Sequence, residues 1–225
     1  MIDKKILYWG MYGSGKTTIV DTLYKLTRDQ KKVKEQSITI EPTGTFQKID
    51  SASGATLYYD RGTFQSNKQQ QILWHVFTVG GQKSYIPLRE KVYRGTDGVI
   101  FVVDSQTHLF EDNIESLKEL KQVTKGKLIR ETPLVIMLNK QDLNDVIVVE
   151  DLKQVLKNER LWYELDNKLH TWNPMIYETC ALYNQEKDIF RSFSECARRV
   201  FLYHFYGNGK APVAGISSKM ASLPI

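Results

Sequence analysis

Apolar residues fall in this chain into two recurring patterns, short continuous runs and stripes at helical spacing, and together they predict strands interleaved with helices. Lys5 to Trp9 reads as a short strand and Thr17 to Thr27 as the helix after it. Leu73 to Val79 reads as a further strand. GVIFVVD, from Gly98 to Asp104, and PLVIMLN, from Pro133 to Asn139, are near-continuous apolar runs of the kind buried on both faces. Between them, Glu111 to Lys125 sets Ile114, Leu117 and Leu120 on one helical face. A helix over Val149 to Asn158, a strand over Met175 to Thr179 and a helix over Glu186 to Tyr206 complete the series. The last helix carries Phe190, Phe193, Ala197, Val200 and Phe201 on one side. The run ERLWYELDNKLHTWNP predicts one more amphipathic helix, with Trp162, Tyr163 and Trp172 packing into the core.

This order implies an α/β fold, a central and mostly parallel sheet with helices on both faces. Right-handed crossovers then bring the strand C-terminal ends, and any ligand, to one edge. Two segments stand apart. Residues 30 to 55 are polar and read as a long mobile loop, with a short strand at SITI. Residues 207 to 225 read as a flexible tail after a domain spanning 1 to 206.

Composition changes little in that picture. The 225 residues are 41% hydrophobic and 25% charged, as expected for one globular domain. Lys and Arg exceed Asp and Glu by 31 to 26, a net charge of +5. The basic residues are scattered, with only small clusters such as Lys31, Lys32 and Lys34, so they read as a solvated surface. No nucleic-acid partner is expected, and at most peripheral membrane contact. Cys180 and Cys196 are the only cysteines. His75, His108, His170 and His204 are too dispersed for a metal site. The opening MIDKKILYWG is too short and charged for a secretory signal. Its second residue is Ile2 rather than the glycine that myristoylation needs, and SLPI carries no prenylation cysteine. The expected location is the cytoplasm.

Three motifs carry chemistry. Gly10 to Thr17 spells GMYGSGKT, a complete G-x-x-x-x-G-K-T phosphate loop between a strand and a helix. Gly10, Tyr12, Gly13, Ser14, Gly15 and Thr18 are its expected backbone contacts to phosphate. Lys16 supplies a cation to β- and γ-phosphates, and the Thr17 hydroxyl is a ligand for Mg²⁺. Asn139, Lys140 and Asp142 form N-K-Q-D at the end of a buried strand. A carboxylate there accepts the paired N–H groups of guanine, which adenine does not present, so the site discriminates through unmet hydrogen bonds. Thr179, Cys180 and Ala181 end the next strand, where a backbone N–H meets the guanine O6. Cys180 shows no paired base that would make it a nucleophile.

These residues resemble the small Ras-like GTPase superfamily, and within it the MglA group of bacterial and archaeal GTPases, relatives of the Arf family. The resemblance spans about residues 4 to 206. It is carried by TLYYD at Thr56 to Asp60, FTVGGQ at Phe77 to Gln82 and GTDGVIFVVDSQ at Gly95 to Gln106. It implies a P-loop GTPase domain that binds GTP or GDP with Mg²⁺. It also implies protein effectors, and an MglB-like roadblock protein as activator. Gln82 is then the residue that orients the attacking water. Gly81 gives an N–H to the γ-phosphate. Thr56 is the sensor of γ-phosphate and Mg²⁺, with Thr43 and Thr45 as alternatives.

Two departures matter. Thr78 stands where most relatives carry the aspartate of D-x-x-G, which removes an outer carboxylate from the Mg²⁺ site; MglA proteins share that change. Asp60 is a candidate substitute, with a structural or solvent-facing role as the alternative reading. Ala55 stands where MglA proteins carry an internal arginine finger, a device worth about 10³ to 10⁵ in rate; Arg61 is out of register for the role. Slow hydrolysis follows. The expected function is a GTP/GDP switch with slow intrinsic hydrolysis, acting in polarity, motility or trafficking. The alternatives are a GTP-binding interaction module with negligible turnover, and a P-loop ATPase or kinase, which needs Asn139 and Asp142 to be accidental.

Overall fold

The computed structural model describes residues 1–44, 59–67, 71–80 and 86–212. The strands are β1 (Ile2–Trp9), β2 (Ile40–Pro42), β3 (Tyr59–Ser66), β4 (Ile72–Val79), β5 (Gly98–Asp104), β6 (Leu134–Asn139) and β7 (Met175–Thr179). They form one seven-stranded sheet in the order β2-β3-β4-β1-β5-β6-β7. From β4 to β7 the pairing is parallel. The β2-β3-β4 end is antiparallel, with Phe64 opposite Trp74.

The helices are α1 (Lys16–Arg28), α2 (Gln30–Glu35), α3 (Ile86–Tyr93), α4 (Phe110–Thr124), α5 (Val149–Asn158) and α6 (Ile189–Tyr206). Because successive strand side chains point to opposite faces, the central strands divide their residues between two cores. Ile6, Tyr8, Ile100, Val102, Val135 and Met137 pack with the apolar faces of α1 and α6. Leu7, Trp9, Val99, Phe101, Ile136 and Leu138 pack with those of α4 and α5. No helix among the described residues is long and apolar enough to cross a membrane.

Strand β3 and helix α3 have no counterpart in the sequence expectation, the short strand expected over residues 37–40 lies instead at Ile40–Pro42, and three further segments differ in kind. Residues 30–35 are helical rather than loop, because Asp29 caps them: its Oδ1 accepts from Lys31 N at 2.9 Å and Lys32 N at 3.3 Å. No residue of α2 is buried, so the hydropathy pattern carries no trace of it. Residues 159–174 are not an amphipathic helix. After α5, Arg160 takes a left-handed φ of 58°, and Leu161 N bonds back to Leu156 O at 2.7 Å, which terminates the helix. The Asn173 amide then clasps Tyr163, accepting from its N–H and donating to its carbonyl, both at 2.8 Å. Only His170–Trp172 forms a 3₁₀ turn. Trp172 does enter the core, its ring edge-on to Tyr203 at 4.9 Å. Lastly, the chain from Gly207 to Pro212 is docked. Ala211 N donates to Arg130 O and Trp172 Nε1 to Pro212 O, each at 2.8 Å. Residues 213–225 lie outside the described residues.

Candidate functional site

The loop from Gly10 to Gly15 leaves the C-terminal end of β1 and enters α1. Two glycines are required there on steric grounds. A Cβ on Gly10 would stand 2.2 Å from the Val102 carbonyl oxygen of β5. One on Gly15, at φ 95°, would stand 2.5 Å from Asn139 Nδ2. The loop can therefore lie against the strand ends only with hydrogen at both positions. Lys16 turns back over it, and its Nζ donates to the Gly10 carbonyl at 2.9 Å and the Met11 carbonyl at 2.6 Å. Ser14 Oγ lies 3.4 Å from the same ammonium. Lys16 and Ser14 are buried, Thr17 is half-buried, and Tyr12, Gly13 and Thr18 are exposed at the rim. Helix α1 begins with no side-chain cap and no acidic residue in its first turn, so no carboxylate of that turn competes for its positive end.

The second motif closes on the first. Asn139, fully buried at the end of β6, donates through Nδ2 to the Ser14 carbonyl at 2.9 Å and accepts from Thr179 Oγ1 at 3.3 Å. The next strand is anchored twice more. Gln141 N donates to the Thr179 carbonyl at 3.1 Å, and Thr22 of α1 donates through Oγ1 to the Ala181 carbonyl at 2.6 Å. Asp142 is exposed, with its carboxylate beside the Cys180 thiol. Burial first, and Asp142 in addition, push that thiol above its ordinary value, so Cys180 is unsuited to nucleophilic chemistry. Lys140, at a left-handed φ of 72°, reaches back to the buried Asp104, with Nζ to Oδ2 at 2.6 Å.

The structure thus gathers Gly10, Tyr12, Gly13, Ser14, Gly15, Lys16, Thr17, Thr18, Asn139, Lys140, Asp142, Cys180 and Ala181 at one edge of the sheet. Thr45, Ala55, Thr56, Gly81 and Gln82 lie outside the described residues. Thr43 extends the β2-β3 hairpin, with its N–H to Thr63 O at 2.9 Å. Thr78 is buried in β4, opposite Tyr8 on one side and Asp60 on the other. Arg61 lays its guanidinium over the Phe77 ring at 5.7 Å.

Two residues at the site escaped the sequence reading. Asp104 ends the apolar run GVIFVVD, and its position as the last residue of a buried strand was the available signal. Arg89 sits in α3 with no motif around it, yet it is buried beside Gly10. Among the described residues, no group of His, Cys, Asp or Glu could hold a metal ion on its own. A hydroxyl at Thr17 is still a hard oxygen donor of the kind Mg²⁺ takes together with phosphate oxygens and water.

The family model of the ADP-ribosylation factor family matches residues 2–190. The mutual gliding-motility protein MglA of Myxococcus xanthus (strain DK1622) is 32% identical over 167 residues, covering 71% of this chain and 78% of that protein.

Proposed function

This chain belongs to the ADP-ribosylation factor family of small GTPases, and we propose that it is a GTP/GDP switch with slow intrinsic hydrolysis that depends on a partner for speed. The observation that carries this reading is the buried Asn139 side chain, which ties the phosphate loop at Ser14 to the base loop at Thr179. A single amide thereby fixes the distance between a phosphate cradle and a guanine-reading carboxylate, Asp142.

In this reading Lys16 trades backbone carbonyls for the β- and γ-phosphates, and Asp142 accepts from guanine. Thr56 and Gly81 gather on the γ-phosphate, ordering two loops that an effector reads. Gln82 orients the attacking water. Thr17 and Thr56 would hold Mg²⁺ together with the nucleotide, and the ion would supply neutralisation of phosphate charge. The buried Thr78 offers it no carboxylate, and Ala55 supplies no arginine finger. Both favour a low basal rate, and an MglB-like roadblock protein is the activator the resemblance suggests. The named relative is a gliding-motility protein, which supports motility among the proposed roles in polarity, motility or trafficking; the proposed location is the cytoplasm.

Single-turnover GTP hydrolysis tests the proposal. We expect slow turnover in the wild type, at least about tenfold less in Gln82→Leu, and acceleration by a roadblock partner. GTP binding with no measurable turnover under any of these conditions would favour the second reading, an interaction module, for which Ala55 and Thr78 are the supporting residues.

A further inference from the structure

We propose that Arg89 is a positioning residue of the switch: one buried guanidinium clamps the carbonyls of Gly80 and Gly10, and so holds the end of β4 against the phosphate loop. This rests on the function proposed above and adds to it the residue that joins γ-phosphate sensing to α3.

Arg89 is 1% exposed, and each arm of its fork has a different partner. Nε donates to the Gly80 carbonyl, at the end of β4, at 3.0 Å. Nη2 donates to the Gly10 carbonyl at 3.3 Å. Nη1 pairs with Glu119 of α4. The guanidinium also lies over the Trp9 ring, 4.9 Å from its centroid. A planar five-donor cation can hold several acceptors in one fixed geometry, as a lysine cannot. The Gly10 oxygen uses its two lone pairs on Arg89 Nη2 and Lys16 Nζ, so the phosphate-binding ammonium and the clamp share one atom.

The clamp acts at a defined peptide. A trans peptide is planar, and its N–H points opposite to its C=O. Fixing the Gly80 oxygen on Arg89 therefore fixes the carbonyl plane from which the chain continues toward Gly81, the residue proposed above to meet the γ-phosphate. The two loops differ in redundancy. Gly10 keeps Lys16 as a donor if Arg89 is lost, whereas Arg89 Nε is the described donor to Gly80. Loss of the clamp should therefore weaken binding of the triphosphate more than of the diphosphate. A buried arginine that only stabilised the fold would weaken both alike.

The test uses the full chain with Arg89→Lys, Arg89→Met and Glu119→Gln, with Mg²⁺ and a fluorescent GDP analogue displaced by GDP or by a non-hydrolysable GTP analogue. GDP affinity is expected within about threefold of wild type, the GTP analogue about tenfold weaker, and single-turnover hydrolysis roughly 10- to 100-fold slower. Lysine keeps the charge opposite Glu119 but cannot reach both carbonyls, so it should restore thermal stability without restoring the GTP-to-GDP ratio. Equal weakening for both nucleotides, or an unchanged ratio in Arg89→Lys and Glu119→Gln, would overturn the proposal. Wild-type protein that bound no guanine nucleotide would overturn the underlying function as well, which separates the two failures.

Discussion

Asn139 and Ser14, 125 positions apart in the chain, are joined by one buried hydrogen bond of 2.9 Å from the Asn139 amide to the Ser14 carbonyl. Neither partner can reach water in its place, since both are fully buried. Asn139→Ala should therefore leave the Ser14 carbonyl and the Thr179 hydroxyl unsatisfied, at about 1 to 3 kcal/mol each. Nucleotide affinity should fall by roughly 10- to 100-fold, since about 1.4 kcal/mol is a factor of ten. Titration with a fluorescent GDP analogue measures it. Unchanged affinity would show that the two loops are positioned independently.

Gly15→Ala attacks the same contact from the other side. The added methyl meets Asn139 Nδ2 at 2.5 Å and sits on a backbone with φ 95°. Strain of about 1 to 3 kcal/mol is expected, with loss of nucleotide binding. A thermal melt that drops by several degrees, together with weaker GDP binding, is the expected result. An unshifted melt would mean that the loop relaxes freely.

The ion pair between Lys140 and the fully buried Asp104 supports the base loop from beneath. Without Lys140, the carboxylate keeps, among the described residues, Gln106, whose backbone N and Nε2 lie at 3.3 and 3.1 Å. Lys140→Met should cost about 3 kcal/mol, because it strands a buried charge. The double variant Asp104→Ala with Lys140→Met should cost less than the sum of the two single changes. Urea unfolding of the four proteins in this cycle tests it, and strict additivity would contradict a coupled pair.

Alkaline pH should destabilise the fold. Burial pushes the Cys196 thiol and the Tyr8 and Tyr203 hydroxyls above their ordinary values. In the unfolded chain these groups titrate near about 8.5 for Cys and 10 for Tyr. Above those values the native state holds more protons than the unfolded state, so stability falls as pH rises. It is fully present below about pH 8, and each group then removes up to about 1.4 kcal/mol per pH unit. Urea midpoints at pH 7.5 and 9.5 should show the decline, and Cys196→Ala should blunt its first part. A flat profile would contradict the assignment.

Legibility in the sequence followed burial. Gly98–Asp104, Val149–Asn158 and Met175–Thr179 have the bounds their apolar patterns predict, because nearly every residue that sets those patterns touches one of two cores. Strand β3 was missed because Phe64 is its one large, fully buried apolar residue among the described side chains. Helix α2 is held by the Asp29 cap, a signal that was present in the sequence and not used. The helix expected over 159–174 failed because Asn173 and Arg160 impose turn geometry that a hydropathy stripe does not register. At the site, motif spacing read with the flanking strands pointed to the two loops that the Asn139 amide joins. Arg89 was invisible, and Asp104 showed only its place at a strand end, because their roles exist only where strands and loops far apart in sequence meet.

The measurement that bears most directly on the central claim is displacement of a fluorescent GDP analogue by GTP, ATP or xanthosine triphosphate, with Mg²⁺ present, in wild type and Asp142→Asn. The account predicts that GTP displaces the probe from wild type far better than ATP, and that the variant shifts its preference to the xanthine nucleotide. Equal competition by ATP, or an unaltered preference in Asp142→Asn, would contradict a guanine site at Asp142.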